Sequence, residues 1–243
     1  MSLSGENAQE EDQGLSQLLL EDHQWAMRFA LVLWAVAGML FVAFAIPPVR
    51  DVLFSMDEWI YDTTYPIKIG VLTAAAYTLN FIGSGLFAWP FRLLITLILA
   101  GKRRWDAVAA WLLALALSEP FIWSLKALYG RARPPEALVE TVSASFPSGH
   151  AIGGAVMAVG LVIAFVPAGP ARRNLELVAA GFALIMGGSR IYLGAHYFTD
   201  VLAGVAFGSA AAIGAAVLVH RFLLRRFVRH RQSALEALQA RQS

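Results

Sequence analysis

Long apolar runs separated by short polar blocks make up most of this chain. A helix that crosses a bilayer takes about 20 apolar residues. Five runs are candidates for such helices: Phe29–Ile46, Ala107–Leu125, Ala151–Val166, Asn174–Leu193 and Val201–Val219. A further apolar stretch, Ile69–Ala100, is interrupted by glycines, Pro90 and Arg92, and it predicts one crossing with a short interfacial helix. The pattern predicts an all-α integral membrane bundle of six transmembrane helices.

The composition supports the membrane class. Hydrophobic residues make up 58% of the sequence and charged residues only 15%, with a mean hydropathy of +0.60. A soluble domain of this length carries more charge. The chain has no cysteine, which excludes disulfides, thiolate zinc sites and cysteine nucleophiles. We expect the bilayer and a membrane lipid as partners and no nucleic acid, and the oligomeric state stays open.

Basic residues assign the two sides of the membrane. They form three clusters, at Lys102–Arg104, at Arg172 with Arg173, and from Arg221 to Arg231. All three fall on one face if successive helices alternate in direction, and an excess of Lys and Arg marks the cytoplasmic face. The sequence therefore predicts a protein of a plasma or inner membrane with both termini in the cytoplasm.

The charge pattern also suggests where the membrane domain begins and ends. Residues 1–24 hold six acids and no Lys or Arg, so they predict a polar, acidic N-terminal tail. Residues 25–225 form the predicted six-helix domain. Residues 226–243 are predicted to be a basic cytoplasmic tail.

Three polar blocks interrupt the apolar pattern: Lys126–Pro134, Pro147–His150 and Ser189–Asp200. Ionisable side chains among membrane helices are costly, so they indicate function. The first block ends the third predicted helix, the second opens the fourth, and the third joins the fifth to the sixth. All three blocks then meet on the extracytoplasmic side. The sequence predicts one active site at that membrane face.

The cations of these blocks suit a phosphate group. Lys126, Arg133 and Arg190 supply three positive charges, and the planar fork of arginine matches phosphate oxygens. Ser148 and Gly149 lie where the fourth helix begins. A serine there can cap the helix, and the free N–H groups of a helix start bind anions. The pattern predicts a phosphate-binding cradle.

Two histidines are candidates for the chemistry. His196 and Asp200 are four residues apart, so on a helix the carboxylate can hold one ring nitrogen and leave the other free to attack. His150, from another segment, can protonate the leaving oxygen and later activate water. Asp200 is the only acid in the three blocks, so the sequence does not predict a metal site.

The blocks resemble the signature of the type 2 phosphatidic acid phosphatase family, membrane lipid phosphatases that share a core with vanadium-dependent haloperoxidases. The eleven matching positions are Lys126, Arg133, Pro134, Pro147, Ser148, Gly149, His150, Ser189, Arg190, His196 and Asp200. The resemblance implies that His196 becomes phosphorylated, that Asp200 orients it and that His150 is the acid and base. It implies no cofactor. Phosphate binding is implied for Lys126, Arg133, Ser148, Gly149 and Arg190.

The resemblance leaves the lipid open among phosphatidate, phosphatidylglycerophosphate, prenyl diphosphates, lipid A and sphingolipid phosphates. A lipid phosphotransferase, in which an alcohol replaces water at the phosphohistidine, shares the same first step. A lipid transporter would also place polar residues among the spans. Transport favours broken helices near the midplane, however, whereas these blocks cluster at one face.

Residues outside the signature carry further predictions. Arg131 is interpreted either as a contact to a second phosphate or headgroup, or as a surface charge near anionic lipid. Arg92 and Glu119 lie within apolar runs and are predicted to pair, since an unpaired charge there is costly. The outer connection from Pro47 to Lys68 is expected to shape substrate access.

Overall fold

The computed structural model describes residues 23–167 and 170–240, and every regular element in those residues is an α-helix. The helices are α1 (His23–Ala45), α2 (Pro47–Thr64), α3 (Gly70–Gly83), α4 (Gly85–Gly101), α5 (Trp105–Tyr129), α6 (Gly149–Phe165), α7 (Pro170–Tyr192) and α8 (Phe198–Ala240). The predicted all-α class is confirmed for this part of the chain. The predicted N-terminal tail lies almost wholly outside the described residues, and α8 extends into the predicted C-terminal tail.

Within the described residues, four helical segments are long and apolar enough to cross a membrane: Gln24–Ala45, Trp105–Tyr129, Arg172–Tyr192 and Phe198–Leu223. Helices α3 and α4 pass the same test only as a pair, bent by 57°, which brings the number to five. Helix α6 is apolar, but its 17 residues span about 25 Å, less than the roughly 30 Å of a bilayer core. Helix length and composition therefore do not confirm the predicted number of six.

Two segments differ from the sequence prediction. The stretch Ile69–Ala100 divides into two helices of 14 and 17 residues, because Ser84 takes an extended conformation between two glycines. The outer connection folds as α2, which begins at Pro47, since proline suits the first turn of a helix. In α2 the apolar side chain of Trp59 is exposed and Asp57 is buried. Helix α2 is thus amphipathic, and it turns a carboxylate toward the bundle.

Small residues bring α6 and α8 into close contact. The GxxxG formed by Gly204 and Gly208 predicts such packing. A methyl group on Gly204 would lie 2.8 Å from the Ser148 carbonyl oxygen, and one on Gly208 would lie 2.5 Å from the Ile152 carbonyl oxygen. Both distances are too short for a side chain. The motif therefore packs two helices of one chain.

The predicted pair of Arg92 and Glu119 is present. Nη1 of Arg92 lies 2.5 Å from Oε1 of Glu119, and Arg92 is buried. Its guanidinium also lies over the ring of Trp89, 4.9 Å from the centroid. A methyl group on Gly153 would be 3.1 Å from Nη2 of Arg92. The pair thus ties α4 to α5 and lies close against α6, about one turn beyond His150.

Candidate active site

The three polar blocks meet at one end of the helix bundle. Lys126 lies in the last turn of α5, His150 in the first turn of α6, Arg190 in the last turn of α7 and Asp200 in the first turn of α8. The backbone N–H of Ser148 donates to the Asp200 carbonyl at 3.0 Å, which joins the starts of α6 and α8. The structure therefore brings the predicted site residues together.

Arg133 links the first block to the third. Its Nη1 donates to the carbonyl of Ala195 at 2.6 Å and lies 3.1 Å from Nε2 of His196. Lys126 reaches the connection between α5 and α6 that carries Arg133, because its Nζ donates to the carbonyl of Ala144. Nη2 of Arg133 donates to the same carbonyl at 3.4 Å, so the ammonium group lies near the guanidinium that contacts His196.

The contacts of His196 assign its tautomer. A guanidinium only donates, so Nε2 of His196 accepts from Arg133. Nδ1 then carries the hydrogen and faces Oδ2 of Asp200 at 3.5 Å and Oγ of Ser145 at 3.4 Å. Burial lowers the pKa of His196 to about 3, and the charge of Arg133 acts in the same direction against the opposing effect of Asp200. The ring is therefore neutral, with its lone pair turned toward the cations.

Asp200 is held through both carboxylate oxygens. Oδ2 accepts from Oγ of Ser145 at 2.5 Å and from the backbone N–H of Tyr197 at 2.9 Å. Oδ1 accepts from Nη1 of Arg131 at 2.6 Å. The sequence did not identify Ser145, because a serine in a polar connection carries no distinguishing pattern. It fixes the carboxylate that faces His196.

The start of α6 provides backbone donors. Ser148 is the N-cap, and its Oγ accepts from the N–H of Ala151 at 3.4 Å. The first N–H groups of a helix have no partner within the helix, so those of Gly149 and His150 are available to an anion. This is the cap that the sequence predicts, two residues before His150 and bonded through its backbone N–H to the carbonyl of Asp200.

Asn80 of α3 holds His150 and Arg190 from the opposite side. Its side-chain oxygen accepts from Nη1 of Arg190, and its carbonyl oxygen lies 3.2 Å from Nε2 of His150. This carbonyl is among the last of α3, which have no partner within the helix. A methyl group on Gly83 would lie 2.3 Å from the His150 ring. The bend between α3 and α4 thus forms the wall beside His150.

Asn80 was not predicted from the sequence. Its signal was an amide inside an otherwise apolar run, which lipid tolerates only with a partner. Both partners lie far along the chain, 70 and 110 residues away.

Arg131 takes neither of its predicted positions. It is only 7% exposed, so it does not lie at the lipid surface, and carboxylates take both of its terminal nitrogens, so neither is turned toward a second phosphate or headgroup. Instead it pairs with two buried carboxylates, those of Asp57 at 2.7 Å and Asp200 at 2.6 Å. The prediction was wrong because Asp57 precedes Arg131 by 74 residues, in a segment read as a loop.

Helices α2 and α3 also hold the connection between α5 and α6. The hydroxyl of Tyr61 donates to the carbonyl of Glu136 at 3.3 Å, and that of Tyr77 donates to the carbonyl of Leu138 at 3.1 Å. The N–H of Leu138 in turn donates to the carbonyl of Leu193 at 2.9 Å. The connection that carries Arg133 is therefore fixed on both sides.

The part of the chain that holds the three polar blocks matches a known family. The sequence profile of the PAP2 superfamily matches residues 105–224, which include all three polar blocks. Phosphatidylglycerophosphatase B of Bacillus subtilis (strain 168) is 32% identical over 163 residues, which cover 63% of this chain and 78% of that protein.

Two solved structures share the fold. The crystal structure of a transmembrane PAP2-type phosphatidylglycerolphosphate phosphatase from Bacillus subtilis matches with a TM-score of 0.65 and 28% identity, over 81% of this chain and 96% of that one. Aquifex aeolicus LpxE matches with a TM-score of 0.54 over 64% of this chain and 91% of that one. At 22% identity the LpxE match shows the fold alone.

Proposed function

This chain belongs to the PAP2 superfamily of membrane phosphatases, and we propose that it removes phosphate from a membrane lipid through a phosphohistidine. One observation carries the proposal. The neutral ring of His196 turns Nε2 toward Arg133 and its protonated Nδ1 toward Asp200. A nucleophile needs a free lone pair beside a group that neutralises the attacked anion, and this arrangement supplies both.

We infer that the substrate is a phosphomonoester or a terminal diphosphate of a membrane lipid. The two Bacillus subtilis relatives are named for phosphatidylglycerophosphate, which makes this lipid the first candidate, ahead of phosphatidate, prenyl diphosphates and lipid A phosphates. Lys126, Arg133 and Arg190 would bind the phosphate oxygens. The N–H groups at the start of α6, at Gly149 behind the Ser148 cap, would bind a further oxygen.

In the first step Nε2 of His196 attacks phosphorus and a phosphorus–nitrogen bond forms. The bond from phosphorus to the lipid oxygen breaks, and its electron pair goes to that oxygen. His150 gives this oxygen a proton, so the dephosphorylated lipid leaves as an alcohol. The His196 ring keeps its Nδ1 hydrogen and becomes cationic, which the carboxylate of Asp200 stabilises.

In the second step His150 takes a proton from water, and the water oxygen attacks phosphorus. The phosphorus–nitrogen bond breaks, its electron pair returns to Nε2 of His196, and inorganic phosphate leaves. Each group ends in its starting state. We propose that this chemistry needs no metal or other cofactor, because the three cations and the helix start supply the positive charge.

We propose six membrane crossings, with the bent α3–α4 pair and α6 each counted as one. The clusters Lys102–Arg104 and Arg172–Arg173 lie at the starts of α5 and α7, and the site lies at their other ends. By the positive-inside rule the site then faces the extracytoplasmic side, and both termini lie in the cytoplasm.

Phosphate release by the purified protein in detergent tests the function. Phosphatidylglycerophosphate, phosphatidate and a prenyl diphosphate would be compared as substrates. We expect His196→Ala to lower kcat by at least about 10⁴-fold, as removal of a nucleophile does. It should also abolish the acid-labile phosphoenzyme that quenching traps in the wild type. His230→Ala, in the distal part of α8, is the matched control and should keep full activity.

Full activity of His196→Ala in detergent contradicts the proposal. Added alcohols provide the second arm of the experiment. If phosphate release falls and a new phosphate ester appears in proportion, the enzyme is a phosphotransferase that uses the same intermediate.

A further inference from the structure

We infer that Arg131 and Asp57 are positioning residues for the nucleophile, through their hold on Asp200 and on the start of α8. The inference rests on the proposed role of His196. Neither residue belongs to the three cations and two histidines that would contact the phosphate. Both are buried, and within the described part of the chain their side chains hydrogen-bond to Asp200, to Thr199 beside it, or to each other.

The guanidinium of Arg131 joins two carboxylates. Nη1 donates to Oδ1 of Asp200 at 2.6 Å and to Oγ1 of Thr199 at 3.0 Å. Nη2 donates to Oδ2 of Asp57 at 2.7 Å. A planar fork can serve both carboxylates at once, whereas the single ammonium group of a lysine cannot reproduce that geometry. Arg131 therefore sets the distance between Asp57 and Asp200.

Three aromatic rings surround the same guanidinium. Its central carbon lies 5.0 Å from the ring centroid of Phe44, 4.4 Å from that of Phe54 and 4.3 Å from that of Tyr197. Rings at these distances attract a cation and exclude water. A charge in such a place is costly unless its partners stay paired, so the positions of Asp57 and Asp200 are closely defined.

Asp57 caps α8 from another helix. Its Oδ1 accepts from the backbone N–H of Thr199 at 3.0 Å, and its Oδ2 accepts from the Thr199 hydroxyl. Helix α8 begins at Phe198, so this N–H is one that has no partner within the helix. A carboxylate also interacts favourably with the positive end of a helix dipole. Asp57 thus anchors the first turn of α8, where Asp200 lies.

The charge of the cluster suits the proposed chemistry. Two carboxylates and one guanidinium leave one uncompensated negative charge beside the His196 ring. This negative charge lies beside the His196 ring and can stabilise the positive charge that the ring gains on phosphorylation. Without Arg131, two buried carboxylates would lack their shared partner, and Asp200 would lose the contact that holds its Oδ1. We expect misplacement of His196 and slower phosphorylation to follow.

Steady-state and single-turnover kinetics of Arg131→Met, Asp57→Asn and the double variant test the inference. A displacement of about 1 Å can cost about 100-fold in rate, so we expect kcat and phosphoenzyme formation to fall by about that factor. KM should stay within about threefold, since phosphate binding is untouched. The double variant should be no worse than Arg131→Met, because the pair acts as a unit.

The matched control is Arg172→Met. Arg172 is also a buried arginine in an ion pair, with Glu176 at 3.0 Å, but it lies at the opposite end of α7. The kcat of Arg172→Met should equal that of the wild type. Thermal unfolding in detergent would establish that each variant is folded. If Arg131→Met does not fold, the inference is tested by the kinetics of Asp57→Asn and Arg131→Lys. These two variants roughly keep the size of the side chain.

Wild-type kcat in the folded Arg131 and Asp57 variants overturns the inference. A rise in KM with unchanged kcat overturns it too, because it assigns Arg131 to substrate binding. If His196→Ala keeps its activity, the proposed function fails instead. The two failures are therefore distinguishable in one set of proteins.

Discussion

The two histidines of the site are held in different ways. His196 is 3% exposed and lies among the side chains of Arg133, Asp200 and Ser145. His150 is only partly buried, and its Nε2 contacts a backbone carbonyl at the end of a broken helix, that of Asn80. A carbonyl only accepts, so this nitrogen of His150 carries a hydrogen. His196, the proposed nucleophile, is thus fixed in one tautomer. His150, the proposed acid and base, has a single hydrogen-bond partner in the described part of the chain, and a substrate oxygen can replace that partner.

This difference fits the proposed roles. A nucleophile must present the same lone pair in every turnover, which a network of side chains enforces. A group that gives a proton and then takes one must leave its resting partner when the substrate oxygen arrives. The residues that support each histidine therefore match the step proposed for that histidine.

Removal of the His150 side chain is the strongest test of the different roles proposed for the two histidines. General acid–base catalysis contributes about 10² to 10⁴-fold, and we expect His150→Ala to lose that much on a lipid phosphate. An aryl phosphate has a leaving group that needs no proton, so its first step is spared while the attack of water is not. We predict a burst of about one aryl alcohol per enzyme, followed by slow turnover and accumulation of phosphohistidine.

His196→Ala is the control for that experiment and should give no burst. The absence of a burst with His150→Ala, or an equal loss in the rate of the first, phosphorylating step on the lipid and the aryl phosphate, would show that His150 does not protonate the leaving oxygen.

Substitution of Asn80 tests the support of the site on the side where His150 lies. Asn80→Ala removes the amide that accepts from Arg190 and keeps the carbonyl beside His150. Loss of one hydrogen bond to a charged group is worth about 1.5 kcal/mol, so we expect KM to rise about tenfold with a smaller change in kcat. Asn80→Asp should be worse, because a carboxylate would bind Arg190 and repel the phosphate.

Thr78→Ala is the matched control on α3. Its hydroxyl donates to the carbonyl of Ala74 on the exposed face, and KM should not change. An unchanged KM in both Asn80 variants would mean that Asn80 does not support the phosphate site.

The sequence predicted the parts of the site that lie within short stretches of chain. His196 and Asp200 are separated by four residues, and Ser148 precedes His150 by two, so local spacing places them. The supporting residues could not be predicted in this way. Asp57 and Asn80 are ordinary residue types in segments without a signature, and their partners lie 142 and 110 residues away. Tertiary packing alone brings them to the site.

The helices were also predicted from local pattern and not from tertiary contacts. Continuous apolar runs predicted helices close to the observed α1, α5, α6 and α7, and the first half of α8, which continues to Ala240. The segment from Pro47 to Lys68 mixes charged and apolar residues without a clear period, and the pairing of its Asp57 with Arg131 exists only in the folded chain. Arg92 and Glu119 were paired correctly, because each stands out as a charge within an apolar run.

The burial of His196 can be measured without any substrate. Its pKa is lowered to about 3, mainly by burial, against an ordinary value of about 6.5 in the unfolded chain. Between these values the unfolded state binds more protons than the folded one, so acidification favours unfolding. Above about pH 6.5 the histidine is neutral in both states and adds no pH dependence.

Thermal unfolding of the wild type and of His196→Gln in detergent would therefore diverge on acidification. Glutamine keeps a polar side chain of similar size but does not titrate. Between about pH 7.5 and about pH 5 we expect the wild type to lose on the order of 2 kcal/mol more stability than His196→Gln. Parallel curves would show that His196 is not held neutral in the folded protein. The contrast between a buried His196 and a partly exposed His150 would then lose its physical basis.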